Sequence, residues 1–363
     1  MRASLLLAPR PDRTSARAAP GLAVAGELDR ASGLGEAARL ILRGLEHLGI
    51  ECWAVRPGGA LPPAGAPLLV VGNAPSIALD LLRLGRRIVR GRRVIGYWFW
   101  ELPSVPRSWW AGMRFVDEVW APSRFTAEAL APLAGTVRVV PLPLALRSPA
   151  PSGRTRAEFG LAAEAFVTLV MFNLASSFER KNPLGAIAAH AEAFGGRADR
   201  VLFIHVTNPH HFPDDFARLQ AACGPNVRLH TQELSRADTE ALMVACDVVL
   251  SLHRSEGFGL VPAEAMLLGR PVVATDWSST SEFLDAENAA LVPVRLVPAR
   301  DPRGVFEAPG AVWAEPDAAA AAAWLRRLAD DAGLRTRLGA AGQLSAQERF
   351  GAGGLADAIG AWG

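Results

Sequence analysis

Lysine and tyrosine occur once each in the 363 residues, at Lys181 and Tyr97. Lysine and arginine together number 38, so all but one of the basic residues are arginine. Asparagine is almost as scarce, and two of its six positions, Asn173 and Asn182, flank the lysine. Two explanations of Lys181 stand side by side. It survived by chance in a chain rich in Ala, Gly, Pro and Arg, or its compact ammonium fills a narrow site beside an anion that the wide guanidinium fork cannot enter. Cysteine is limited to Cys52, Cys223 and Cys246, odd in number and scattered. That spacing excludes a disulfide framework and a CxxC metal cluster and suits a reducing cytoplasm. Apolar runs end within about ten residues, short of the ~18–20 needed to cross a bilayer. The opening MRASLLLAPRPDR lacks the long apolar core and small-residue cleavage site of a secretory signal. A net charge of only +2 gives little support to a nucleic-acid partner.

What is present is a chain with 50% hydrophobic and 20% charged residues, able to bury two cores. Segments rich in Val, Ile and Leu alternate with longer amphipathic ones, the pattern of βα units on parallel sheets. Strands are expected at 21–26, 50–55, 67–72, 93–99, 118–122 and 137–141, with helices near 35–48, 76–90, 104–114 and 124–133. A second series of strands is expected at 166–173, 200–206, 226–231, 247–252, 271–276 and 289–294, followed by helices at 316–330 and 335–362. The stretch 144–156 is rich in Pro, Ser, Gly and Arg and breaks the alternation. The expected organisation is an α/β chain with an N-terminal domain at 1–148, a linker at 149–160 and a C-terminal domain at 161–363. Ligands of such sheets sit outside the carboxyl ends of the strands, so a shared cleft is the default site.

The most specific text is SLHRSEGFGLVPAEAMLLGRPVVATD at 251–276. It follows an apolar strand, places Glu256, Gly257, Phe258 and Gly259 in a turn, and opens a helix with Pro262 in its first turn, where proline is favoured. A turn of this kind directs backbone N–H groups and a positive helix end at a phosphate. Glu256 and Glu264 lie either side of seven residues, and carboxylates hydrogen-bond well to vicinal hydroxyls.

On these residues the chain resembles the retaining glycosyltransferases of the GT-B fold, family 4, whose signature is E-x7-E. Further matches support the resemblance: Gly33-Leu34-Gly35-Glu36 after the first strand, Asn73 in its V-x-N-x-P setting, GYWFWELP at 96–103, DEVWAPSRFT at 117–126, and Phe178-Glu179-Arg180-Lys181-Asn182-Pro183. The resemblance is to bacterial polysaccharide mannosyl- and hexosyltransferases. It implies two Rossmann-like domains, the first for the acceptor and the second for a nucleotide sugar. It further implies that Glu256 holds sugar hydroxyls, that Gly257, Phe258, Gly259 and Leu260 offer backbone N–H groups, and that Glu264 binds the nucleotide ribose. Lys181 and Arg180 would bind the diphosphate, while Gly33 and Gly35 leave room for the donor. Relatives carry a separate arginine five or six residues before the lysine, where this chain has Ala175 and Ser176, so Arg180 or Arg254 must supply that charge. Thr231-Gln232-Glu233 either holds the base edge, through Gln232 and Glu233, or forms an ordinary loop.

Gly33-x-Gly35-x-x-Ala38 also fits a dinucleotide fingerprint, but six residues separate it from the strand that should run straight into the first glycine. Tyr97, Trp98 and Trp100 are expected at the acceptor side, with Glu101 facing the acceptor hydroxyl and His253 as a second polar candidate. Arg83, Arg86, Arg87 and Arg90 fall at helical spacing with no acid between Leu81 and Trp100. They form either a contact with anionic lipid, suiting a lipid-linked acceptor at the inner face of the membrane, or a solvated face. No D-x-D triplet occurs, so no metal or other cofactor is expected, and the leaving diphosphate would be met by Lys181, Arg180 and helix-end N–H groups. The donor is GDP-mannose or a UDP-hexose, and the acceptor a saccharide or lipid-linked saccharide. A sugar-nucleotide epimerase of the same fold and a non-catalytic sugar-nucleotide-binding protein are the alternatives.

Overall fold

The six apolar segments of the first half form parallel strands β1 (Leu22–Ala25), β2 (Cys52–Val55), β3 (Leu68–Gly72), β4 (Val94–Trp98), β5 (Glu118–Ala121) and β6 (Val137–Val139), in the order β2-β1-β3-β4-β5-β6. The computed structural model describes residues 2–11, 20–30, 32–133, 135–306 and 310–362. Every residue of β1, β3, β4 and β5 is buried, as continuous apolar runs covered on both faces require. Ser32 caps the first long helix, Gly33–His47, by accepting the Gly35 N–H at 3.0 Å.

The second sheet is built the same way from β7 (Phe166–Asn173), β8 (Arg200–Thr207), β9 (Val227–His230), β10 (Val248–Ser251), β11 (Val272–Thr275) and β12 (Ala290–Val292), in the order β12-β11-β10-β7-β8-β9. All twelve expected strands are present. An antiparallel hairpin that the sequence reading missed follows them, β13 (Val294–Pro298) with β14 (Val312–Pro316). Among the described residues no helix is long and apolar enough to cross a membrane.

The chain divides into two units, one of residues 1–146 with 350–363 and the other of residues 147–349. Two expected boundaries therefore move. Residues 149–160 do not stand apart as a linker, because Ala150 N–H donates to Glu240 at 2.7 Å, Ser152 Oγ to Asp238 at 2.7 Å and Arg156 to Asp247 at 2.7 Å, all within the second unit. The expected helix 335–362 is interrupted after Arg349, and its last part, Gly353–Gly360, returns to the first unit. There the Ala145 N–H donates to Phe350 O at 2.9 Å and Trp362 stacks on Trp120 at 5.6 Å.

Helix 76–90 is likewise two pieces, Ile77–Leu84 and Arg86–Val89, broken at Gly85 with φ +89°. Arg83, Arg86, Arg87 and Arg90 remain exposed but do not share one helix face. The expected helix 104–114 is a 3-10 helix, Arg107–Phe115.

Candidate active site

The central strands β7 and β10 are neighbours, so the loops leaving their carboxyl ends meet. From β7 the chain turns through Leu174–Ser176 to Ser177, whose φ of +126° is a conformation side chains rarely adopt. Ser177 Oγ accepts the Arg180 N–H at 3.2 Å and so caps the single turn Phe178–Lys181. Asn182, left-handed at φ +52°, ends that turn and caps the helix Pro183–Phe194 by accepting from Gly185 N at 3.2 Å. Its side-chain amide donates to Leu252 O at 2.9 Å, and Arg254 N–H donates to Arg180 O at 2.7 Å. The two loops are thus stitched together before their charged groups meet.

Those groups are Arg180, Lys181 and Glu256. Lys181 Nζ donates to Glu256 Oε1, and the Arg180 guanidinium lies 3.1 Å from Oε2 while donating to Ser255 O at 2.8 Å. Burial opposes ionisation of Glu256, but the two cations outweigh it and pull the carboxyl pKa down to about 2. A carboxylate fixed between an ammonium and a guanidinium, 75 residues away in sequence, is the chemical centre of the second unit.

The turn after Glu256 needs glycine at 259: its φ is +95°, and a Cβ there would fall 2.5 Å from Thr280 Cγ2. Gly259 starts the helix Leu260–Leu267, and Gly257, Phe258, Gly259 and Leu260 lead from the glutamate into it. The segment 277–280 was not singled out in the sequence, yet it holds the glutamate's backbone. Ser278 Oγ accepts the Glu256 N–H at 3.0 Å, and Ser279 Oγ donates to Glu256 O at 2.8 Å. The available signal was the run of hydroxyl residues from Ser278 to Ser281, one residue after PVVATD.

Glu264 is buried in that helix, and Arg236 Nη1 contacts its carboxylate at 2.6 Å while Nε donates to Glu240 at 3.0 Å. Gln232 and Glu233 are exposed after β9, three strands from β10. The Arg254 guanidinium is held by Glu315 at 2.8 Å and the Glu179 carbonyl at 2.7 Å, beneath Trp313. His253 is fully buried beneath the glutamate turn and hydrogen-bonds with Ser251 Oγ at 3.0 Å and Thr280 Oγ1 at 3.1 Å, and burial pushes its pKa down to about 4. Among the described residues no group of three or more His, Cys, Asp or Glu is placed to hold a metal ion.

In the first unit, Tyr97, Trp98 and Trp100 are core residues and present no face to a ligand. Tyr97 donates to Val140 O at 2.6 Å, and Trp98 and Trp100 pack edge-on against Trp109. Both faces of β4 are covered, so alternation could not reveal an exposed ring. Half-buried Phe99, whose N–H donates to Asn73 Oδ1 at 2.8 Å, and half-buried Glu101 are the side chains at the end of that strand. Gly35 is explained without a ligand. A Cβ there would lie 2.5 Å from Glu27 O, and its N–H is used by Ser32; Gly33 is the exposed first residue of the same helix.

Two six-stranded parallel sheets flanked by helices are the GT-B glycosyltransferase architecture, and solved structures share it. The Anabaena protein HepE, in complex with UDP-glucose, superposes with a TM-score of 0.65 at 16% identity, covering 95% of this chain and 99% of that one. Sucrose-phosphate synthase from Thermosynechococcus elongatus gives 0.65 at 17% identity, covering 95% and 98%. WaaG, a glycosyltransferase involved in lipopolysaccharide biosynthesis, gives 0.58 at 15% identity, covering 93% and 98%. Identities this low establish the fold. No curated protein sequence matches the chain. Residues 184–314 match the family model of Glycosyl transferases group 1. The matched segment includes the Glu256 turn and the Glu264 helix.

Proposed function

We propose that the protein is a retaining glycosyltransferase of family 4 that moves a hexose from a nucleotide sugar to a saccharide or lipid-linked saccharide acceptor. The observation that carries this reading is the Lys181–Glu256–Arg180 cluster at the joined ends of β7 and β10. In this reading Lys181 engages the donor diphosphate, Glu256 the hydroxyls of the transferred sugar and Glu264 the ribose. The diphosphate leaves on the face where the acceptor attacks, and a phosphate oxygen takes the acceptor proton. The cations and the amides at the start of Leu260–Leu267 meet the leaving charge without a metal, consistent with a sequence that lacks D-x-D. UDP-glucose in HepE makes a UDP-hexose a first donor to test, beside GDP-mannose. Three free thiols support a cytoplasmic setting.

The ribose assignment predicts that Glu264→Gln raises donor KM about ten- to a hundredfold with kcat nearly unchanged, since a charged hydrogen bond made equally in ground and transition states is lost. Steady-state kinetics against donor check this, and a fall confined to kcat contradicts the role.

Lipid-linked acceptors fit a membrane contact through Arg83, Arg86, Arg87 and Arg90. Leu79 and Leu82 are exposed on the adjoining helix, and Leu6 and Leu7 on the helix Arg2–Leu7 that packs against it. At ~1 kcal/mol per arginine the four supply about 4 kcal/mol of salt-sensitive attraction. Replacing all four by Gln is expected to abolish sedimentation with anionic vesicles at low salt while leaving the melting temperature within a few degrees. Equal sedimentation of the two proteins removes this face as the contact.

A further inference from the structure

The β13–β14 hairpin, absent from the sequence reading, reaches back to the segment that leads into Lys181. Its turn is itself built: buried Asp301 accepts the Val305 and Phe306 N–H groups at 3.0 and 3.2 Å, and Gly304 N–H donates to Asp301 O at 2.8 Å. From this turn Arg303 donates to Leu174 O at 2.7 Å and to Asp215 Oδ2 at 2.5 and 3.1 Å, with its guanidinium 3.6 Å from the centre of the Phe212 ring. Leu174 opens the turn that forces Ser177 to φ +126°, and Ser177 in turn caps Arg180. Phe306, also buried, places its ring 5.5 Å from the Arg180 guanidinium. One loop therefore grips the 174–181 segment at both ends.

We infer that Arg303 is a positioning residue for recognition of the pyrophosphate group: by holding Leu174 against Asp215 it keeps the strained turn closed and sets the direction of Arg180 and Lys181. This rests on the donor reading proposed above. A side chain with rare backbone geometry relaxes when the contacts that over-determine it are removed. Loss of Arg303 opens the Leu174–Ser177 turn and moves the cations away from the phosphates. The nucleoside, held by the loop after β9 and by Glu264, is untouched by that movement. Affinity for a diphosphate then falls while affinity for the bare nucleoside does not, a split that general loosening of the fold would not produce.

The test is titration of the full chain with UDP and GDP by calorimetry and with uridine and guanosine by NMR, following whichever base the wild type binds. Arg303→Met keeps the apolar stem over Phe212 and removes the charge, and Asp215→Asn leaves Arg303 in place but loosens its anchor. Both are expected to weaken the nucleoside diphosphate at least about tenfold, with nucleoside affinity within twofold. Unchanged diphosphate affinity in Arg303→Met, with the wild type binding normally, overturns the inference and leaves the donor reading intact. Equal weakening of diphosphate and nucleoside also overturns it. A wild type that binds neither UDP nor GDP overturns the donor reading and this inference together.

Discussion

Glu256→Gln is expected to lower kcat about a hundredfold while donor KM stays the same or falls. The carboxylate sits between Lys181 and Arg180, so removing its charge frees positive charge for the ground-state diphosphate and strengthens donor binding. On the role proposed for Glu256, a contact to the transferred sugar that tightens as the glycosidic bond breaks is lost at the same time, at about 1.5–3 kcal/mol for a charged hydrogen bond. Stability falls as well. Glu256's folded pKa of about 2 lies below the ordinary 4.5, so its contribution is present above about pH 4.5 and lost as pH falls toward 2. Breaking a buried pair from one side costs roughly 3–5 kcal/mol, which a thermal melt of the variant at neutral pH will register. Paired kcat and KM measurements separate the roles. A variant with wild-type kcat and raised KM would remove Glu256 from the reacting sugar.

Acid is expected to destabilise the second unit steeply between about pH 6.5 and 4. His190, His205 and His253 all lie in that unit, and burial pushes the pKa of each to about 4. His190 packs edge-on against Phe194 with no hydrogen-bond partner for Nε2 among the described residues. His205 faces His230 across β8 and β9, Nδ1 to Nδ1 at 3.0 Å, and His253 lies beneath Glu256, whose charge favours its protonation while burial, Lys181 and Arg180 oppose it. Because the folded pKa values lie below the ordinary 6.5, the unfolded chain takes up protons that the folded chain refuses. The stability is complete above about pH 6.5 and is lost as pH falls toward 4, at about 1.4 kcal/mol per pH unit for each histidine and about 4 for the three together. Urea midpoints near pH 7 and pH 5 measure the slope, and His190→Asn should flatten it by about a third. Equal midpoints at the two pH values would contradict the account.

Both parallel sheets were legible because most of their strands are short apolar segments rich in Val, Leu and Ala between turn signals, and the Glu256 turn was legible because its glycines and Pro262 fall at fixed offsets. The pairing of Glu256 with Lys181 was not, since it depends on β7 and β10 lying side by side with 75 residues between the partners. The β13–β14 hairpin escaped because β13 is largely exposed and both strands end in proline, Pro298 and Pro316. Gly85 broke a helix that the spacing of the arginines described well, because periodicity does not register a single residue at φ +89°. The aromatic string at 97–100 misled for a related reason. Fully covered strands give no alternation to pick out the one or two rings expected to touch ligand, and Tyr97, Trp98 and Trp100 are all buried.

The most direct test of the central claim is the release of nucleoside diphosphate from a panel of UDP- and GDP-sugars by the wild type and by Lys181→Arg, measured side by side with a saccharide acceptor mixture. Lys181 is the only lysine in the chain, and its ammonium lies against Glu256 at the centre of the site. The account predicts turnover of at least one nucleotide sugar by the wild type and a loss of about ten- to a hundredfold in kcat/KM when the ammonium becomes a guanidinium, even though the charge is kept. Turnover of no nucleotide sugar, or turnover that Lys181→Arg leaves within twofold of wild type, would contradict it.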